Sequence, residues 1–385
     1  MNERLERGAL PVPAVHQFVP ALIPRDATGS HTLLLRDVLR SAGWRSEIFA
    51  EATHDDLANE SLRVEEYEAR ARPGDVLIYQ FSTSSMVADL LAGRTEPLVL
   101  DYHNITSPEL YGEWDPPAAA RSAEARRQLA VLARRAVLGM ADSEFNERDL
   151  VAAGCRRTAV VPVLVDLERA VQDADTRTAA RLARARAGGG ANWLFVGRVV
   201  PPKAQHRLVE ALWAYRRLYD PSARLHLVGA MPSRRYMSAL RRYAADLGLA
   251  TAVRLYGEVS DAVLAAVYSS ADVYVSLSEH EGYGIPLVEA ARAGVPVVAL
   301  GAAAIPETLG DAGLLVGTSE PALVAAAVHR VLTDEALRHS LVVAGQRRVK
   351  HHSLAAASAM AVRALTAVAG PPPGAGRSGV TERQP

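Results

Sequence analysis

Short apolar runs alternate with amphipathic stretches along the whole chain, and that rhythm predicts its elements. Val76-Leu77-Ile78-Tyr79, Leu98-Val99-Leu100 and Val160-Val161-Pro162-Val163 read as buried strands in the first half. The second half has Trp193-Leu194-Phe195-Val196, Leu225-His226-Leu227-Val228, Val273-Tyr274-Val275 and Val295-Pro296-Val297-Val298. Helical periodicity lies between them, over Thr32 to Ser41, Ala118 to Leu138, Gln205 to Leu218 and Pro286 to Ala293. Near-continuous Val/Leu strands spaced by helices mean parallel sheets covered on both faces. The rhythm breaks once, from Asp166 to Ala191, where Gln172-Asp173-Ala174-Asp175 and Gly188-Gly189-Gly190 leave no strand pattern. That break reads as the connection between two doubly wound α/β domains, with a short helix near Thr178 to Arg186. The last helix, Ser353 to Val368, feeds no strand, and the Pro/Gly-rich tail from Gly370 to Pro385 reads as disordered.

Composition agrees with this organisation. The chain has 385 residues, 49% hydrophobic and 22% charged, which suits two globular domains. Its formal net charge is zero, from 43 basic and 43 acidic residues, so the basic excess of a nucleic-acid binder is missing. The zero conceals two halves: residues 1–150 hold 16 basic and 24 acidic residues, and residues 151–385 hold 27 and 19. Only two of the basic residues are lysines, Lys203 and Lys350, so each invites a question. A single cysteine, Cys155, cannot form an intramolecular disulfide and fits a reducing compartment. Met1-Asn2-Glu3-Arg4 leads into no apolar leader, and the longest nearly apolar run, Val295 to Pro306, falls short of the ~20 residues of a membrane span. The expectation is a cytoplasmic protein. Arg121, Arg126, Arg127, Arg134 and Arg135 on the helix Ala118 to Leu138 leave peripheral membrane contact open, although a helix that precedes a strand packs more readily on the sheet.

No Walker loop, G-x-G-x-x-G, H-E-x-x-H, G-x-S-x-G or C-x-x-C occurs in the chain. Asp173-Ala174-Asp175 has the D-x-D spacing of metal-dependent sugar transferases, but it sits in the polar connection and not after a buried strand. Two segments of the second half differ in kind. In Phe195-Val196-Gly197-Arg198-Val199-Val200-Pro201-Pro202-Lys203 a strand ends at Gly197 and a helix follows Lys203. Ligands of open α/β sheets bind at such carboxyl ends, where Arg198 and Lys203 could reach one anion. Solvated surface charge is the ordinary alternative for both. The second segment is Ser278-Glu279-His280-Glu281-Gly282-Tyr283-Gly284-Ile285-Pro286-Leu287-Val288-Glu289. Gly282 and Gly284 permit close backbone approach, and Pro286 opens a helix whose free N–H groups could face a ligand. Glu281 and Glu289 could border one pocket, or Glu289 could simply complement the helix dipole from the first turn.

Gly197-Arg198 with Lys203, together with Glu281 to Glu289 and the following Ala290-Ala291-x-Ala293-Gly294-x-Pro296-Val297, resembles the GT4 family of retaining glycosyltransferases. The spaced glutamates are similar to its E-x7-E motif, and the strand followed by G-R-x4-K to its phosphate-binding turn. In the first half, His16-Gln17-Phe18 and Asp26-Ala27-Thr28-Gly29-Ser30-His31 resemble the family's first strand and loop, with a single glycine where many relatives have two. His103 after Leu100-Asp101-Tyr102, and Ala141-Asp142-Ser143-Glu144-Phe145-Asn146, resemble two further family stretches.

The resemblance implies the GT-B fold: two facing Rossmann-like domains with a last helix crossing back onto the first. On this sequence that gives an acceptor domain at 1–168, a connection at 169–190, a donor domain at 191–352, the crossover helix at 353–369 and the tail at 370–385. It implies transfer of a hexosyl group from a UDP- or GDP-sugar to an acceptor hydroxyl with retained anomeric configuration. Arg198 and Lys203 would meet the diphosphate, with Gly197, Gly29 and Ser30 supplying backbone. Glu289 would meet the ribose. Glu281, Gly282, Tyr283, Gly284 and Ile285 would hold the sugar, and His103 would touch it from the other domain. No metal and no cofactor beyond the donor substrate is implied. A GT-B-fold epimerase or phosphorylase and a non-catalytic nucleotide-sugar-binding protein are the alternatives, the last disfavoured by so complete a residue set.

Overall fold

The computed structural model describes residues 13–372, so the tail from 373 and Met1 to Arg4 lie outside the described residues. Seven parallel strands form the first sheet: β1 (Val15–Leu22), β2 (Ile48–Thr53), β3 (Leu62–Arg63), β4 (Val76–Phe81), β5 (Leu98–Tyr102), β6 (Leu138–Ala141) and β7 (Thr158–Val160). Their order is β3-β2-β1-β4-β5-β6-β7. The second sheet comprises β8 (Asn192–Val196), β9 (Arg224–Val228), β10 (Val253–Gly257), β11 (Val273–Ser276), β12 (Val297–Leu300) and β13 (Gly313–Val316). It runs β10-β9-β8-β11-β12-β13, with Trp193 opposite Val273 and Leu194 opposite Tyr274 at its centre. Both orders reverse direction beside their first strand, and such a switch point opens a crevice at the carboxyl ends of the strands.

Each sheet is buried on both faces. Leu77, Tyr79, Leu98 and Leu100 pack toward Leu129 and Leu132 of the helix Pro116–Arg135. Val15, Val76, Ile78 and Val99 face Leu35 and Leu39 on the other side. Helix Leu354–Ala369 belongs to that second layer: Ala357, Ala361 and Leu365 are buried there, so the last helix does cross back onto the first sheet, in the GT-B arrangement. Together with Glu335–His351 it forms an apolar stretch long enough by length and composition to cross a membrane. A break at His352-Ser353 divides the stretch into two helices.

Two boundaries differ from the sequence pattern. The strand expected at Val160 to Val163 ends at Val160, because Pro162 offers no N–H to continue the ladder. The helix expected over Ala118 to Leu138 spans Pro116–Arg135, with Pro116 in its first turn and the Asp115 carboxylate accepting from the Ala118 N–H at 3.1 Å. Its arginines are largely tied down. Arg126 donates to the Ile105 carbonyl (2.7 Å), Arg127 pairs with Glu124, and Arg135 donates to the carbonyls of Arg94 and Glu96. Asp175, from the D-x-D spacing, caps helix Thr176–Ala187 by accepting from the Thr178 N–H at 2.7 Å.

Candidate active site

The switch point of the second sheet lies between β8 and β11, and the two segments singled out by sequence follow those two strands. Gly197 follows β8, and the chain then makes a short 3-10 turn, Pro201–Lys203, before helix Gln205–Leu218. Ser278 to Gly284 follow β11 and lead into helix Ile285–Arg292. Across this gap the Lys203 ammonium pairs with Glu281 at 2.7 Å and donates to the His280 carbonyl at 3.0 Å. Arg198 is exposed nearby, and among the described residues no carboxylate pairs with it.

The first sheet meets this loop directly. Just past β5, Asn104 has φ 72 and its side-chain oxygen accepts from His280 Nε2 at 2.7 Å. The Ser143 hydroxyl donates to the Gly282 carbonyl at 2.7 Å. Glu307 of the second domain accepts from the N–H groups of Glu144 (2.6 Å) and Phe145 (3.2 Å), the first two of helix Glu144–Ala152. A carboxylate at a helix N-terminus is well placed electrostatically, here across the domain boundary. A Cβ on Gly282 would stand 2.5 Å from the Asn104 Cβ, so glycine alone permits this approach. Beside it the fully buried Asn146 amide has no hydrogen-bond partner for either polar atom among the described residues.

Behind Asn104 lies a polar network inside the first domain. His103 Nδ1 meets both Asp142 carboxylate oxygens at 3.1 Å, and its Nε2 meets Gln80 Oε1 at 2.6 Å. Both partners accept, so the ring is held as an imidazolium. Burial opposes that charge, but Asp142 and Asp101 outweigh it and push the pKa up to about 9. His31 Nε2 bonds Asp101 at 3.0 Å, while its Nδ1 accepts from the Leu164 N–H at 2.9 Å. His31, Asp101 and His103 present ligand-type atoms within 4.8 Å of one another, a set that could hold a metal ion; the protein hydrogen bonds above already engage those atoms.

Several expected contacts fall elsewhere. The Gly29 N–H is donated to Asp26 (3.1 Å) and the Ser30 N–H to the Asp26 carbonyl (2.9 Å), so neither is free for a phosphate. The reason is that the helix already starts at Ala27 with Asp26 as its cap. Gly29 instead permits close packing, since a Cβ there would meet the Ile23 carbonyl oxygen at 2.7 Å. Tyr283 and Ile285 point inward, into a cluster with Val163, Val165 and Leu167, and the Tyr283 hydroxyl bonds His352. Burying a ring and an aliphatic side chain outweighs leaving them at a wet cleft. Glu289 is in the second turn of its helix, so the first-turn dipole reading does not apply. It is fully buried, held by Arg169 Nε at 2.5 Å and by the Tyr268 hydroxyl at 2.9 Å. Thus Lys203, Glu281, Gly282 and the His103-Asn104 turn come together. Gly197, Arg198 and Gly284 flank them, while Glu289 is turned toward the interdomain connection.

Gln80 and Arg169 were not singled out by sequence, and Asp142, Asn146 and Glu307 carried no assigned role there, Asp142 and Asn146 being named only within the family stretch Ala141 to Asn146. Gln80 had a signal, as a polar residue inside the apolar run Val76 to Phe81, and so had Asp142 at a strand end. Arg169 had none, being one arginine among many.

Residues 190–334 match the family described as glycosyl transferases, group 1. The D-inositol 3-phosphate glycosyltransferase of Geodermatophilus obscurus is 32% identical over 363 residues, which cover 90% of this chain and 78% of that protein. The GDP-mannose-dependent alpha-(1-6)-phosphatidylinositol monomannoside mannosyltransferase of Mycobacterium tuberculosis is 35% identical over 198 residues, 49% of this chain and 50% of that one. Among solved structures, Anabaena HepE in complex with UDP-glucose superposes with a TM-score of 0.72 at 20% identity, covering 91% of this chain and 99% of HepE.

Proposed function

This chain belongs to the group 1 glycosyl transferases, and from that membership we propose that it moves a hexosyl group from a nucleoside-diphosphate sugar to an acceptor hydroxyl with retention of the anomeric configuration. The observation that carries the site assignment is the Lys203–Glu281 pair, which joins the loops after β8 and β11 at the switch point, opposite the His103-Asn104 turn. The GDP-mannose dependence of the mannosyltransferase relative and the UDP-glucose bound by HepE support the donor class.

Departure of the diphosphate builds negative charge on its leaving oxygen. Preformed positive groups aimed at that charge are the largest catalytic term available here. Lys203 is a flexible point charge, so it can exchange Glu281 for a phosphate oxygen. That exchange frees the Glu281 carboxylate to accept from a sugar hydroxyl. Arg198 adds a second cation that has no ion-pair partner to give up among the described residues. A leaving oxygen so neutralised can take the acceptor proton on the same face, and the proposal therefore assigns no metal to the reaction. His103 acts as a positioning residue: fixed by Asp142 and Gln80, it sets the Asn104 turn against the sugar loop. The ribose would reach Glu289 by taking the place of Arg169, whose side chain is partly exposed and can swing to water. One buried cysteine, Cys155, suits a cytoplasmic enzyme.

The test is turnover of a panel of nucleoside-diphosphate sugars with hydroxyl acceptors, the product's anomeric configuration being read by NMR. On the donor that turns over, Lys203→Ala should cost about 3–4 kcal/mol of transition-state stabilisation, some hundredfold to thousandfold in rate, with the fold intact. Kinetics equal to the parent's would remove Lys203 from the site, and an inverted product would remove the retaining mechanism.

A further inference from the structure

The first domain carries a second cavity at the opposite end of its sheet. It has a volume of about 550 Å³ and is lined by Arg40, Arg45, Arg70, Arg72, Trp44 and Ser46, among others. Such a volume suits a small organic ligand. Arg45 pairs across to Ala14 just before β1, and the residues from Ala69 to Arg72 lead into β4. The cavity therefore sits at the amino ends of the strands whose carboxyl ends face the donor cleft. With β1 eight residues long, the two sites are about 25 Å apart.

Its charge runs against its surroundings. Residues 1–150 carry 24 acidic and 16 basic residues, yet four of the sixteen converge on this one cavity. Two of those are committed: Arg40 pairs with Glu47 at 2.8 Å, and Arg70 with Glu66 at 3.4 Å. Two are not. The nearest carboxylate to Arg45 is Asp75 at 3.9 Å, and that carboxylate already accepts from the Ala14 and Arg72 N–H groups. The Arg72 guanidinium has no ion-pair partner among the described residues. The lining also holds two polar groups without a partner among the described residues, the Trp44 Nε1–H and the Ser46 hydroxyl, on residues 2% and 1% exposed. Both atoms are closed off from solvent, so they lie beneath the cavity surface, and the guanidinium groups are what a ligand would meet. Guanidinium forks match the oxygens of a phosphate group, and the buried side chains of Trp44 and Phe49 close the floor beneath them.

We propose that this cavity is an anion site, separate from the donor cleft, that takes a phosphomonoester with a small organic body. The phosphate could belong to a soluble ester or to a lipid headgroup, and the experiment separates these sources. Inorganic phosphate and glycerol phosphate are titrated into the full chain by calorimetry while a nucleoside diphosphate saturates the donor cleft. Flotation is run with phosphatidylcholine vesicles with and without phosphatidic acid. The parent should bind under diphosphate saturation, and the Arg45→Ala/Arg72→Ala variant should lose about tenfold or more in affinity. Its glycosyl transfer without phosphate should equal the parent's. Binding of the soluble probes alone assigns a free ester, and flotation that depends on phosphatidic acid and on Arg45 and Arg72 assigns a headgroup. Arg72→Ala alone, which breaks no ion pair among the described residues, serves if the double variant folds poorly. The proposal is overturned if neither probe binds, if the variants bind like the parent, or if the diphosphate displaces the phosphate.

Discussion

Replacing Glu289 by alanine should unfold the second domain more readily before it says anything about donor binding. The carboxylate is fully buried, and it accepts from Arg169 Nε at 2.5 Å and from the Tyr268 hydroxyl at 2.9 Å. Burial, with the Glu289 charge, raises the Tyr268 phenol far above its ordinary value, so the hydroxyl stays a donor at every working pH. Alanine leaves that donor only the longer bond to the Pro286 carbonyl at 3.4 Å, at about 1 kcal/mol. It also strands the Arg169 guanidinium. Breaking a wholly buried pair costs about 3–5 kcal/mol; here the Arg169 side chain is 27% exposed and water recovers part of that. The sum lies near 3–4 kcal/mol, or a fall of roughly 6–16 °C in that domain's unfolding temperature. Urea denaturation followed through tryptophan fluorescence reads it, with Trp193 buried in the same domain as a reporter. Tyr268→Phe removes only the hydroxyl and should cost about 1 kcal/mol, and Glu289→Gln should fall between the two. A Glu289→Ala protein within about 0.5 kcal/mol of the parent would refute the account, because that is the range of an exposed, unengaged side chain.

Arg169→Ala removes the group that competes with a ribose for Glu289; the donor KM should fall while the ligand-free protein loses stability, and a raised KM would sink the exchange. Stability against pH should be highest near 6.5. His226, His280 and His352 are each held down at about 4, by burial first and then by neighbouring Arg254, Lys203 and Arg348 respectively. The unfolded chain binds those protons from 6.5 downward, so stability falls as pH drops from 6.5 to 4, by at most about 1.4 kcal/mol per pH unit for each ring. His103 works in the other direction: raised to about 9, it contributes stability that is full below 6.5 and lost as pH rises to 9. Urea midpoints across that range should show both limbs, and His103→Gln should flatten the alkaline one. Gly282→Ala puts a Cβ 2.5 Å from that of Asn104 in the other domain, and should part the domains at a cost of about 1–3 kcal/mol. Small-angle scattering should then report a larger radius with a lower kcat/KM; an unchanged radius and rate would refute the contact.

Apolar periodicity alone determined the parallel α/β class and the centre of each sheet, because strands buried on both faces must be written in Val, Leu and Ile whatever surrounds them. It marked β4, β5, β7, β8, β9, β11 and β12, left β1 to the family resemblance, and missed β2, β3, β6, β10 and β13, which are short or partly exposed and so leave little pattern. It also located the loops after β8 and β11, since a glycine turn between a buried strand and a helix is local information. Lys203 and Glu281 could be named from the chain, and their spacing in sequence said nothing of their meeting. Only the tertiary structure paired them, because the strand order places β8 beside β11 across 77 residues of intervening chain. Tertiary packing alone likewise turned Tyr283 and Ile285 into the core, spent the Gly29 and Ser30 N–H groups on a cap, and gave Glu289 to Arg169. A residue type fixes which bonds a side chain can make. Which bonds it does make depends on the partners that folding delivers, and for Glu289 the deciding partner came from a connection that carried no pattern.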